Sequence, residues 1–557
     1  MTMRQAYGIF MLMAVAALGA CAERDPSTIG GQALRNVDCS EPVVAAAGTL
    51  TGVRERETCA FKGLPFAEPP VGARRFQPPQ PLAAKLGNFK AEKFGNQCLQ
   101  TAGDAVVGAE DCLTLNVWLP GATSDGRRAE KLPVMVFIHG GAYVSGGASV
   151  PLYDGEYLAA KGVVLVTVNY RLGALGYLAP SSVTDSDGTR LVGNLGPRDQ
   201  IAALQWVRAN ITAFGGDPHN VTIFGESAGA GSVCVLLASP KAAGLFQRAI
   251  MESGGCQIGE RDDVAAKADA WIISAGCAAT SPATLACLRS LDAATFPVAA
   301  PYSMVNLGGI HPNVDGDVVE AQPLAELRAG RSSSVAVMAG YNKEETYGLR
   351  FLPGNEEFVR QTYAQFWARA RNALGDGGAE KLRRQYGYLT HRDAMELTTG
   401  IMDDWNFACA AYDVLAAQRK AGAQTYYYRF SFGENELTLE SVAGTFHGAE
   451  LPFVFGTVRA LVVIYPGDAA FRRALALSEQ TQRYWVRFAS TGDPNGGGDP
   501  YWPAFDDGDA RMELAPNPVV SRERQGERCA FWTQIDPPDF GGHFVFMKSV
   551  LGFQPID

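Results

Sequence analysis

The chain has 557 residues, 47% of them hydrophobic, which is enough to enclose a sizeable core. Its 58 acidic residues outweigh 48 lysines and arginines, giving a formal charge of −10, with no basic block or aromatic-basic interleaving. Nucleic acid is therefore excluded as an expected partner, and beyond the N-terminus no apolar run is long enough to span a membrane.

The N-terminus reads as an export signal: Arg4 near the start, a largely apolar run from Ile9 to Ala20, then Cys21. Leu18-Gly19-Ala20-Cys21 resembles the lipobox of bacterial lipoproteins, whose cysteine is lipidated and becomes the mature N-terminus. Cleavage after Ala22, with Ala20 and Ala22 as the small residues, is the competing reading. Residues 1–21 are thus a signal, 22–41 a polar leader, and 42–557 one domain with insertions. Setting Cys21 aside, ten of the eleven cysteines remain for pairing, which agrees with an oxidising compartment. The expected location is periplasmic, extracellular or anchored to the envelope.

Phe61 to Pro70 carries three prolines and reads as an extended surface run. Val134 to Ile138 is an apolar strand ending at His139-Gly140-Gly141, and Val163 to Val168 is a strand buried on both faces. From Gln200 to Phe214, Ile201, Leu204, Val207 and Ile211 fall on one helical stripe, which Gly215-Gly216-Asp217-Pro218 stops. Val221 to Phe224, Val335 to Met338 and Thr425 to Phe430 are further strands, and Phe471 to Phe488 is a long helix. Alternating apolar strands and helices predict an α/β fold, with a large, mostly parallel sheet covered on both faces.

Gly225-Glu226-Ser227-Ala228-Gly229 follows the strand 221–224 directly. A serine on a sharp strand-to-helix turn projects its hydroxyl above the sheet, and the flanking glycines admit the strained backbone. Hydrolysis by serine needs a base, an acid orienting it, and donors for the developing oxyanion. Of six histidines, His139 and His219 precede the serine, against the usual Ser–acid–His order of this turn's fold. His311 precedes a Pro-Asn turn, and His391 sits beside Arg392 and Asp393 at a helix start. His447, in a glycine-flanked loop beyond the strand ending near Phe430, has the best setting for the base. For the acid, Glu344 and Glu345 both follow the strand 335–338, and the residues alone do not choose between them. Gly140 and Gly141 after the strand 134–138 let consecutive N–H groups turn inward, and the Ala228 N–H completes a set of oxyanion donors.

Over roughly residues 42 to 535 the sequence resembles the type-B carboxylesterase/cholinesterase-like family of the α/β-hydrolase fold. The resemblance rests on Phe61-Lys-Gly-Leu-Pro-Phe-Ala-Glu-Pro-Pro-Val-Gly72, Glu110-Asp-Cys-Leu-Thr-Leu-Asn-Val-Trp118, Asn194-Leu-Gly-Pro-Arg-Asp-Gln200 and Phe214-Gly-Gly-Asp-Pro218 ahead of the Ser227 turn. It implies Ser227 as nucleophile, His447 as base and Glu345 as acid. It also implies Gly141, Ala142 and Ala228 as oxyanion donors, and helical insertions that form an active-site gorge. Family-type disulfides map onto Cys98–Cys112, Cys277–Cys287 and Cys409–Cys529. Cys39–Cys59 is a further candidate; for Cys234 a free core thiol is one option, and its relation to Cys256 stays open.

The sequence departs from the family pattern at three places. Only thirteen residues, Leu99 to Asp111, separate the first family-type pair and none is aromatic, so the cation-binding platform of the cholinesterases is missing there. Ala142 and Thr346 stand where many members carry glycine. The expected activity is a serine carboxylesterase acting on small-molecule carboxylic esters through an acyl-enzyme, with Glu226 modulating the local field. This chemistry requires no metal or organic cofactor, and no metal-ligand spacing occurs. A lipase-like or bulky-ester hydrolase is the alternative within the class, and a non-catalytic binding or adhesion module the alternative outside it. Tyr143, Phe446 and the stretch Met304 to Leu307 are candidate pocket walls.

Overall fold

The computed structural model describes residues 39 and 41–535, except 104, 122–130, 185–189, 192, 281–282, 299–309, 332–334, 349–361, 388–393, 433–443, 465–466 and 507. Its centre is a sheet of eleven strands. In chain order these are β1 (Val53–Glu55), β2 (Thr58–Pro65), β3 (Thr114–Pro120), β4 (Leu132–Ile138), β5 (Val164–Val168), β6 (Gly216–Glu226), β7 (Arg248–Glu252), β8 (Ala336–Asn342), β9 (Thr425–Phe430), β10 (Ala510–Leu514) and β11 (Val519–Arg522). Their order across the sheet is β11-β10-β9-β8-β7-β6-β4-β5-β3-β2-β1. Strands β4 to β10 run parallel, while β1, β2, β3 and β11 pair antiparallel at the two margins.

The strand sequences explain this layering. All five residues of β5 are buried, as are the last five of β4, because helices cover both faces. Along β4, Val134, Val136 and Ile138 enter one core and Met135 and Phe137 the other, the period-two alternation of a strand between two layers.

The helices that matter for the site are α1 (Leu195–Asn210), α2 (Ala228–Ala238), α3 (Ala394–Asp403), α4 (Cys409–Lys420), α5 (Leu451–Phe455) and α6 (Asp468–Thr491). Helix α1 starts five residues before the stripe read from sequence, and residues 211–214 form a separate 3-10 turn closed by Gly215 at φ 82°. Helix α6 runs past Phe488 to Thr491, where Gly492 at φ 86° supplies the left-handed cap that a side chain resists.

Among the described residues, five disulfides tie the chain together. Four are Cys39–Cys59, Cys98–Cys112, Cys277–Cys287 and Cys409–Cys529. The fifth corrects the free-thiol reading: Cys234, buried in α2, is bonded to Cys256 in the loop after β7. The two elements start side by side at the Ser227 turn, which sequence distance conceals. Among the described residues no helix is long and apolar enough to cross a membrane.

Candidate active site

The parallel strands β4, β6, β8 and β9 deliver the candidate residues to one edge of the sheet, beyond their carboxyl ends. Strand β6 ends at Glu226 and α2 begins at Ala228, so Ser227 alone makes the turn, at φ 57° and ψ −123°. That conformation costs a non-glycine residue on the order of 1–3 kcal/mol and persists because its surroundings fix it. The Ser227 N–H donates to the Glu252 carbonyl at 2.9 Å, and the Ser227 carbonyl accepts from the Gly231 N–H at 3.0 Å. The flanking glycines serve close approach: a Cβ on Gly229 would lie 2.0 Å from the Ile138 carbonyl oxygen, and one on Gly225 2.6 Å from the same atom.

Beyond β4, Gly141 at φ 105°, Ala142 at φ 51° and Tyr143 at φ 64° form a tight left-handed turn. The Gly141 carbonyl accepts from the N–H groups of Val144 and Ser145, each at 3.0 Å, which closes the loop. Among the described residues, no acceptor takes the N–H groups of Gly141, Ala142 or Ala228. Ala228 opens α2, so its amide lacks an intrahelical partner in any case. His139 stands behind this loop as support. Its ring stacks on Tyr170 at 4.4 Å, its Nδ1 meets the Gly140 carbonyl at 2.8 Å, and burial pulls its pKa down to about 4.

Glu344 and Glu345 meet different partners in the turn after β8. Glu345 is buried; its Oε2 lies 2.7 Å from His447 Nδ1, and its Oε1 accepts from the Asn342 N–H at 2.6 Å. Glu344 turns instead to the histidine loop, where its Oε2 accepts from the Thr445 N–H at 2.6 Å. It is packed beside Gly444, whose φ of 64° and lack of Cβ admit the approach. The neighbouring carboxylates therefore divide the work: one meets the imidazole, the other holds its loop.

His447 stands between two carboxylates. Its Nε2 lies 3.2 Å from Glu226 Oε1, opposite the Glu345 contact, and Phe407 packs its ring 5.1 Å away. Burial opposes the charged ring, but Glu226 and then Glu345 outweigh it, so its pKa is raised. Glu226 is itself pushed up to about 7 by burial, with His447 pulling the other way. No hydrogen bond joins Ser227 Oγ to His447 among these described residues.

Sequence reading missed the buried carboxylates behind this pair. Glu450, three residues after His447, accepts from Asn342 Nδ2 and from Ser253 Oγ at 3.3 Å, and burial lifts its pKa to about 8. Glu252, at the end of β7, accepts from Trp485 Nε1 at 2.6 Å and is raised well above the usual range. An acidic residue at the end of an apolar parallel strand was the available signal.

The remaining expectations divide. Tyr143 is buried against Tyr177 at 5.2 Å, which makes it core rather than pocket wall. Phe446 is half-buried against the second core, and the stretch 304–307 lies outside the described residues. His311 is buried with its pKa lowered to about 4, His219 is exposed, and His391 and His543 lie outside the described residues. No group of three or more His, Cys, Asp or Glu able to hold a metal occurs among the described residues.

Known proteins share this architecture. A PNB esterase structure is 33% identical, covers 88% of this chain and 99% of its own, and superposes with a TM-score of 0.75. A thermophilic PNB esterase is 32% identical, with the same coverages and TM-score. The Geobacillus stearothermophilus carboxylesterase EST55 is 33% identical over 88% of this chain and all of its own, with a TM-score of 0.76. The carboxylesterase family profile matches residues 40–532. With a mixed α/β-hydrolase sheet and a match spanning nearly the whole chain, the protein belongs to the carboxylesterase family.

Proposed function

We propose that Ser227, His447 and Glu345 carry out the carboxylesterase reaction, with Gly141, Ala142 and Ala228 as oxyanion donors. The observation that carries this reading is the 2.7 Å Glu345–His447 contact, set beside a strained serine turn and three amides that no acceptor takes among the described residues. On substrate loading, Ser227 Oγ closes onto His447 Nε2, a contact that commonly tightens only in the Michaelis complex. His447 takes the hydroxyl proton as Oγ attacks the ester carbonyl. The oxyanion meets the three N–H groups, each worth about 2.7–4 kcal/mol if the bond strengthens in the transition state.

Collapse of the tetrahedral adduct breaks the bond to the alcohol oxygen, and His447 returns the proton to that oxygen. Water, deprotonated by His447, then attacks the acyl-enzyme and releases the acid. Glu345 fixes the tautomer and stabilises the imidazolium, while Glu226 adds negative charge on the Nε2 side. The five disulfides support an oxidising, exported setting, and Cys21 is the proposed lipid attachment point, which the intact mass of the mature N-terminus would test.

The test is hydrolysis of p-nitrophenyl acetate, butyrate, octanoate and palmitate by wild type and Ser227→Ala. Turnover abolished by the substitution supports the reading. A maximum at palmitate assigns a lipase-like preference, and equal turnover by both proteins rejects Ser227 as nucleophile.

A further inference from the structure

Thr346 follows Glu345 directly and is buried. Its N–H and its Oγ1 both donate to one oxygen, Asp403 Oδ1, at 2.8 and 2.6 Å. Asp403 is the last residue of α3 and is buried as well. The helix then takes a π-turn over Asp404–Ala408 before continuing as α4. A π-turn inserts a residue and re-aims the side chains on either side of it, and such turns recur at functional sites. Here Asp403 faces the Glu345 turn while Phe407, four residues on, lies against the His447 ring. One helical segment thus reaches the neighbour of the acid and the ring of the base.

We propose that Asp403 is a positioning residue for ester hydrolysis: by anchoring Thr346 it fixes the turn from which Glu345 holds His447. The inference rests on the proposed roles of Glu345 and His447. Holding a carboxylate here is unfavourable. Burial raises its pKa well above the usual range, the Thr346 side chain and N–H counter this, and Glu345 and Asp404 add to it. Buried polar groups of this kind are costly unless hydrogen-bonded, and both donors come from the single residue Thr346. The groups around the Glu345–His447 pair are Glu226 from the serine turn, Glu450 ahead of α5, and Asp403 at the end of α3, with Asp404 beside Asp403. Asp404 is engaged elsewhere, with Gln525 at 3.2 Å and Arg528 at 3.3 Å. Glycine, common at the Thr346 position in the family, would lack the hydroxyl half of the anchor.

The experiment compares Asp403→Ala and Asp403→Asn with wild type in p-nitrophenyl butyrate hydrolysis, with kcat and KM measured across the pH range and Tm recorded. Asp403→Ala should lower kcat by about 10- to 100-fold, the scale of a misplaced catalytic group, with KM unchanged. Its acid limb should move to lower pH, because a loosened Glu345 no longer raises the His447 pKa. Asp403→Asn keeps an acceptor oxygen in the same place and should restore kcat to within a few-fold of wild type. Should the alanine variant not fold, Thr346→Gly removes one of the two bonds and should lower kcat about fivefold.

A lower Tm with kcat and acid limb unchanged would overturn the proposal, as would a rise in KM alone, or an asparagine variant as impaired as alanine. Glu345→Ala, run alongside, separates the two claims: full activity there would reject the triad reading itself.

Discussion

Replacing Glu226 by glutamine removes the negative charge that faces His447 Nε2 at 3.2 Å. Two unit charges at that distance attract by about 5 kcal/mol at an effective dielectric constant of about 20. The net effect is smaller for three reasons. The His447 side chain keeps 27% of its surface exposed to solvent, which screens the pair. Glu226, pushed up to about 7, carries only part of its charge near neutrality. Glutamine also retains an acceptor oxygen. A net loss of about 1–2 kcal/mol remains, close to one pKa unit at 1.36 kcal/mol each.

The sign follows from which form Glu226 favours. Its charge stabilises imidazolium and raises the His447 pKa, so removing it lets the neutral base persist to lower pH. The acid limb of kcat/KM for p-nitrophenyl butyrate should therefore move down by about one pH unit. The plateau of kcat should fall about tenfold, because the imidazolium of the proposed mechanism is less stabilised in the transition state. An acid limb that stays in place or moves upward would refute the reasoning.

Gly229→Ala would set a Cβ 2.0 Å from the Ile138 carbonyl and should destabilise the fold by about 3 kcal/mol or more, read by urea unfolding; a wild-type midpoint would contradict the packing described. Ala142→Gly should relieve an alanine held at φ 51°, changing stability by about 1 kcal/mol at most; a larger loss would show that the methyl group has a packing role. Removing Cys409–Cys529, which spans 120 residues, should cost about 4–5 kcal/mol by loop-closure entropy, and unchanged stability would argue against that bond.

How much of this was readable before the structure depends on how local each signal is. The Ser227 turn is compact: its glycines exist because α2 starts against the end of β4, and that need is written within five residues. Strand cores β4, β5 and β9 were equally legible, since burial on both faces leaves runs dominated by apolar and aromatic residues. Glu344 and Glu345 defeated local reading because adjacent residues in a tight turn point in different directions. The resemblance favoured Glu345, and the structure sets it against His447. Asp403 was invisible, lying 57 residues from Thr346 and aimed by a π-turn that has no sequence period. The Cys234–Cys256 bond was hidden likewise, because it joins a helix to the loop after a neighbouring strand.

The most direct measurement is peptide mapping by mass spectrometry after reaction with a fluorophosphonate, which phosphonylates an activated serine and expels fluoride. The account predicts one adduct per chain, on the peptide containing Ser227, with loss of esterase activity in proportion to labelling and slow labelling in His447→Ala. An adduct confined to another serine, or full esterase activity in a protein fully labelled at Ser227, would contradict it.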